Sequence, residues 1–127
     1  MFPYSITTIG HYSFYLCSSI GDIGIRNTQI TKIDRYCFSF SGLSTFEVDH
    51  SISEIMFNCF DSSSVSRVNI NCIIIPERCF RNCSSLSSLI LSEGIIELSV
   101  ECFQGCSSLP SFTIPRLFTT FNSFAFQ

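Results

Sequence analysis

Charge is scarce in this sequence. Only 13% of its 127 residues are Asp, Glu, Lys or Arg, and the formal net charge is −3. With Lys and Arg scattered and no basic stripe interleaved with aromatics, a nucleic-acid partner and an electrostatic hold on anionic membranes are both excluded. Tryptophan is absent, and the six glycines are unclustered, which leaves no phosphate-cradling loop. Long apolar runs are missing too. The greasiest stretch, Cys72–Ile75, is cut off by Pro76, far short of the roughly 18 apolar residues a membrane span requires. The opening MFPYSITTIGHYSF has neither a basic n-region nor a long apolar core, so it does not read as a secretory signal.

Histidine is nearly missing, with only His11 and His50. A Cys or Ser nucleophile needs a base and an orienting group beside it. Both histidines are expected at solvated turns, and the serines lie in no G-x-S-x-G elbow. The chain is therefore expected not to be an enzyme and to carry no cofactor or metal.

What the sequence has is apolar residues, 46% of the total, fourteen phenylalanines and eight cysteines. This is enough to bury a core in one domain of this size. The residues are periodic. CFRNCSSLSSLIL begins at Cys79, and CFQGCSSLPSFTI begins at Cys102. Aligning on the Phe places Phe14, Phe38, Phe60, Phe80, Phe103 and Phe126 in one column, with steps of 24, 22, 20, 23 and 23 residues. Five positions earlier stand Ile9, Ile33, Ile55, Ile75, Leu98 and Phe121, and just before each Phe stands Ser13, Cys37, Cys59, Cys79, Cys102 or Ala125. Downstream come apolar triplets at i, i+3, i+5: Ile20/Ile23/Ile25, Leu43/Phe46/Val48, Val65/Val68/Ile70, Leu86/Leu89/Leu91 and Leu109/Phe112/Ile114.

A unit of about 20–29 residues containing L-x-x-L-x-L is of leucine-rich-repeat length. Its last two apolar residues share one face of a short strand. One such strand cannot bury that face alone, so successive units must stack and share a core. The expected fold is an α/β repeat solenoid, mostly β and loop by content. It would be a right-handed coil with a parallel sheet on one face and short helical or 3-10 turns, carrying the Phe segments, opposite. The I-x-x-I pairs Ile6/Ile9, Ile30/Ile33 and Ile52/Ile55 predict a second short strand per coil. Residues 1–127 form a single domain of about five full repeats plus a partial sixth. The short step into Phe80 predicts a tighter or bent coil there. The Phe column should make an internal spine, with Phe124 and Phe126 partly exposed at its end.

At these residues the chain resembles the BspA-like leucine-rich repeats, whose pattern A/C-F-x-x-C-S-S-L-x-x-I-x-I-P is followed by I-x-x-I. Phe80, Cys83, Ser84, Ser85, Leu86, Leu89 and Leu91 match it, as do Phe103, Cys106, Leu109, Phe112, Ile114 and Pro115. The units at Phe38 and Phe60 depart from it, being one residue shorter between Phe and the triplet and lacking the second Cys. The family includes bacterial surface antigens and is expanded in some parasitic protozoa. The resemblance implies a non-catalytic, adhesion-type surface antigen, at the cell surface or secreted, binding a host or cell-surface protein. An intracellular, cytoplasmic leucine-rich-repeat scaffold is the alternative that the missing signal and unpaired thiols would suit.

Seven cysteines fall at repeat positions, which reads as small buried side chains filling columns, and Cys72 alone stands outside the phase. Stacked coils could bring Cys79–Cys102 and Cys83–Cys106 within disulfide range. One glycosylation sequon occurs at Asn82-Cys83-Ser84, its Cys expected buried. Outward strand positions form the usual recognition surface of a solenoid. They give the columns Asp22, Thr45, Arg67, Ser88, Ser111 and Gly24, Glu47, Asn69, Ile90, Thr113. The candidate partner-binding residues are Asp22, Thr45, Glu47, Arg67, Asn69, Ser88 and Ser111. Because repeat-phased residues run to both ends with no polar cap, the chain is expected to be a fragment or to self-associate through its ends.

Overall fold

The computed structural model describes residues 2–110, 120–121 and 125–126. Among these residues nine short strands follow in order: β1 (Thr8–Ile9), β2 (Lys32–Ile33), β3 (Thr45–Ser51), β4 (Glu54–Ile55), β5 (Arg67–Asn71), β6 (Ile74–Ile75), β7 (Ser88–Leu91), β8 (Glu97–Leu98) and β9 (Thr120–Phe121), with one 3-10 turn at Ile25–Asn27. All pairings are parallel and join equivalent positions of successive coils. The principal sheet runs β3-β5-β7, and the I-x-x-I segments build two more, β1-β2-β4 and β6-β8-β9. This is a β solenoid, with the second strand of each coil where the sequence places it. Among the described residues no helix is long and apolar enough to cross a membrane.

Period-2 alternation sets the faces. Phe46 and Val48 of β3, and Val68 and Ile70 of β5, point into the core, while Leu89 and Leu91 of β7 are half-buried. The spine forms as expected. Phe14, Phe38, Phe60, Phe80 and Phe103 stack in sequence with centroids 4.9–5.6 Å apart and planes within 9°. Phe126 continues the stack at 5.3 Å and remains 43% exposed; Phe124 lies outside the described residues. At the other end, Phe2 packs edge-on against Phe14 at 5.8 Å.

The short turns opposite the sheet are single i→i−3 turns, the spacing of a 3-10 helix, chained without becoming one. In the fourth coil Cys79 N–H donates to Pro76 O, Arg81 N–H to Arg78 O and Cys83 N–H to Phe80 O. The turns are kept apart by left-handed residues two before and two after the Phe, here Arg78 and Asn82. The geometry frees other amides for the next coil: Arg78, Phe80 and Asn82 donate to Val100, Cys102 and Gln104 O. The Phe segments thus form a third intercoil ladder, which satisfies backbone groups that a buried turn would otherwise leave orphaned.

Four expectations need correction. The first triplet, Ile20/Ile23/Ile25, forms no strand. Gly21 and Gly24 take positive φ, the chain makes one bridge, Gly21 to Leu43, and then enters the 3-10 turn. Glycine within a strand pattern marks such a break. Second, Cys72 is in phase, since it occupies the column of Ile30, Ile52 and Ile95, all buried; the column is otherwise filled by isoleucine, eight residues before each Phe. Third, the missing residues tighten no whole coil. They are absorbed where β3 pairs with β5, as Glu47 faces Asn69 but Ser51 faces Asn71. The bulged residues are Val48, Asp49 and His50. Fourth, His50 is therefore no solvated turn residue. It lies in β3, its side chain 27% exposed, with Nε2 2.6 Å from the Ile30 carbonyl.

Candidate functional site

The register of β3, β5 and β7 places the candidate residues side by side. Thr45 faces Arg67, and Arg67 faces Ser88; Glu47 faces Asn69, and Asn69 faces Ile90. Two outward columns result, at the strand spacing of about 4.8 Å. Asp22 lies beyond the sheet, where its Oδ1 accepts from Gly24 N–H at 3.0 Å. Ser111 lies outside the described residues.

Glu47 is the electrostatic centre of this face. Its Oε2 accepts from Arg26 Nη2 at 2.9 Å, and its Oε1 lies 3.3 Å from Arg67 Nη2. Both arginine side chains remain more than half exposed, at 58% and 63%, while Glu47 is 26% exposed. One carboxylate thus holds two guanidinium groups and leaves each with donors directed elsewhere. Beside them a notch of about 260 Å³ is walled by Asp22, Gly24, Ile25, Arg26, Thr45 and Glu47. Ile90 ends the second column as an exposed apolar residue, at 57%.

Arg26 escaped the sequence analysis, because its place depends on the first strand failing. The signal was available in Gly21 and Gly24 inside the triplet. A second surface was missed altogether. Tyr12, Tyr15, Leu16, Tyr36, Phe40 and Phe57 meet on the outside of the turn ladder, and Tyr12 stacks on Tyr36 at 5.1 Å.

The cysteines are all free. Neither Cys79 and Cys102 nor Cys83 and Cys106 are joined; instead Cys83 Sγ donates to Phe60 O at 3.0 Å and Cys106 Sγ to Phe80 O at 3.1 Å. Burial pushes the thiols of Cys37, Cys72, Cys83 and Cys102 up to about 12 and that of Cys106 to about 11. Desolvation raises Cys59 and Cys79 as well. Such thiols stay protonated at neutral pH and are poor nucleophiles. Among the described residues the polar contacts of His11 and His50 go to Asp34, Asp49 and the Ile30 carbonyl. No group of three or more His, Cys, Asp or Glu is placed to hold a metal ion among those residues.

A stacked parallel coil with an internal Phe spine and an outward polar sheet is a leucine-rich-repeat solenoid, a fold of non-catalytic scaffolds that serve as protein-interaction modules. The model of the BspA-type leucine-rich-repeat region, in six copies, matches residues 7–127. The chain belongs to that family. It is also similar to a crystal structure of a leucine-rich repeat protein from Bacteroides ovatus ATCC 8483, with TM-score 0.52 and 17% identity. That match covers 78% of this chain and 36% of the other, so the chain spans about a third of that protein's length. The likeness is one of fold. No curated protein matches the sequence.

Proposed function

We propose that the chain binds partner proteins through the outward face of β3-β5-β7, as an adhesion-type surface module. Contact would centre on Glu47, Arg67 and Asn69, with Arg26 and Ile90 at its margins and Thr45, Ser88 and Asp22 adjoining. Ser111 is proposed to extend the first column. The observation that carries this reading is the sheet face itself: Glu47 holds Arg26 and Arg67, and the strand register sets the exposed Ile90 on the same surface. Arginine and an apolar anchor amid small polar residues is the composition of a binding patch. The small serines and threonines leave the backbone accessible and do not oppose close approach.

A photo-crosslinking residue placed at position 67, 90 or 54 tests this, the last lying on the other sheet in β4. Covalent capture of one partner from 67 and 90, lost when Glu47→Arg is added, supports it. Capture from 54 alone, or from none of the three, overturns it.

The free state of all eight thiols favours a second reading, a scaffold in a reducing compartment, because small exported domains commonly carry disulfides. Localising a tagged full-length protein, with thiol counting on native material, separates the two.

A further inference from the structure

The link from each apolar triplet to the following I-x-x-I pair varies in length. Four residues separate Ile25 from Ile30 and three separate Val48 from Ile52, but Asn71 alone stands between Ile70 and Cys72. The two long links are neighbours in the stack. The first begins in the 3-10 turn and the second holds the bulge, so both departures from the repeat fall on one edge of the solenoid. Insertions in a repeat array map to one face, often the one that binds, and a bulge re-aims the side chains it carries. Between these links lies a cleft of about 430 Å³, bordered on its outer side by Tyr4, whose carbonyl accepts from Gln29 N–H at 3.2 Å. That volume lies within the range of about 300–1,000 Å³ that small-molecule sites occupy.

The chemistry of the cleft narrows its ligand. Much of its backbone is already paired: Ile25 O accepts from Thr28 Oγ1 at 2.7 Å, Ile30 O from His50 Nε2 at 2.6 Å and Thr31 O from Ser53 N–H at 2.8 Å, while Thr31 N–H donates to Thr7 O at 2.9 Å. An extended peptide, held by main-chain hydrogen bonds, meets occupied groups here. The side chains are what remain. Among the described residues the carboxamides of Asn27 and Gln29, the Thr31 hydroxyl and the Tyr4 phenol have no hydrogen-bond partner within the chain. Charge is balanced as well. Arg26 is held by Glu47 at 2.9 Å, and Asp49, its side chain 70% exposed, sets the opposite sign on the same wall. An anion therefore finds no surplus of cation, and a hard metal ion finds one carboxylate where it needs several oxygen ligands. A lipid or a flat heterocycle needs apolar walls, whereas the single phenyl ring among the described lining residues is that of Tyr4, which is 67% exposed. A sugar ring meets every one of these conditions. Its hydroxyls both donate and accept, as carboxamides do, and find an acceptor in Asp49 and donors in Arg26. Its C–H face packs on an aromatic ring as other apolar surface does.

We propose that this cleft binds an uncharged hexose unit of a glycan, with Tyr4 against its C–H face and Asn27, Gln29 and Asp49 on its hydroxyls. The site lies on the edge of the solenoid between the two sheets and does not depend on the protein-binding function proposed for the sheet face.

Nuclear magnetic resonance titration of the isotope-labelled full chain tests this, with glucose, galactose, mannose and N-acetylglucosamine added in turn and inorganic phosphate as the anionic control. At least one of the neutral sugars is expected to shift the side-chain amide signals of Asn27 and Gln29, while phosphate leaves them in place. The double variant Asn27→Ala, Gln29→Ala should weaken that binding by about tenfold or more. Its urea midpoint should hold, because both residues are exposed. Tyr4→Ala should weaken binding as well, and Tyr4→Phe, which keeps the ring face, should retain it. The proposal is overturned if none of the four sugars moves these signals, or if phosphate alone does. Sugar binding that the double variant and Tyr4→Ala both leave unchanged overturns it too.

Discussion

Phe60 and Phe80 lie ring on ring at the centre of the molecule, with centroids 4.9 Å apart and planes within 6°. That separation is the spacing between hydrogen-bonded strands, about 4.8 Å, and the agreement has a cause. The rings hang from backbone segments that are themselves hydrogen-bonded, through Phe60 N–H to Cys79 O at 2.8 Å. Ladder and spine therefore set each other's pitch. Phe46, from the principal sheet, wedges edge-on against Phe38 and Phe60 at 5.9 and 4.9 Å, tying turn face to strand face.

Removing a ring from the middle of this stack should open a cavity that two coils share. Phe60→Ala is expected to cost about 3–5 kcal/mol. Phe14→Ala, at the half-buried end, should cost less. Urea denaturation of both variants measures the difference, and equal losses would argue against a continuous spine.

The buried thiols should make the protein sensitive to alkali. Their folded pKa lies above the ordinary thiol value of about 9.0, reaching about 12 at Cys37, Cys72, Cys83 and Cys102. The unfolded chain therefore loses these protons first. Stability from them is complete below pH 9 and drains away as pH climbs toward 12, at up to about 1.4 kcal/mol per thiol per pH unit. Urea midpoints from pH 7 to 11 under reducing conditions should fall above pH 9. Cys102→Ala, which copies Ala125 of the next coil, should make that fall shallower by about one thiol's share.

Asp61 is almost wholly buried, yet it keeps its charge partnered. Arg81 Nη2 donates to Oδ2 at 2.7 Å, Asn58 Nδ2 donates to the same oxygen at 2.9 Å, and Ser62 Oγ donates to Oδ1 at 3.0 Å. Arg81→Ala leaves the carboxylate short of its cation and is expected to destabilise by about 3 kcal/mol. Adding Asp61→Asn should recover part of that loss. A double-mutant cycle in thermal denaturation reads the coupling, and strict additivity would mean the pair contributes nothing beyond its separate packing.

The legible parts of this molecule were those that repeat. Ile9, Ile33, Ile55, Ile75 and Leu98 are buried in one column, and the spine phenylalanines in another, because stacking turns sequence period into spatial alignment. The columns Thr45–Arg67–Ser88 and Glu47–Asn69–Ile90 followed from the same rule. Illegible were the places where the repeat fails. The lost first strand brought Arg26 to Glu47, and the β3–β5 bulge turned His50 toward Ile30.

The amino-acid order by itself determined the coil, its shared core and the outward columns, because strand periodicity and the need of each unit to bury its apolar face allow no other use of these residues. Tertiary structure alone decided that Glu47 holds two arginines, and that the tyrosines of the first coils gather with Leu16 and Phe40 on the turn face. Those arrangements arise between coils, from local breaks in register and from left-handed turn angles, neither of which spacing along the chain records.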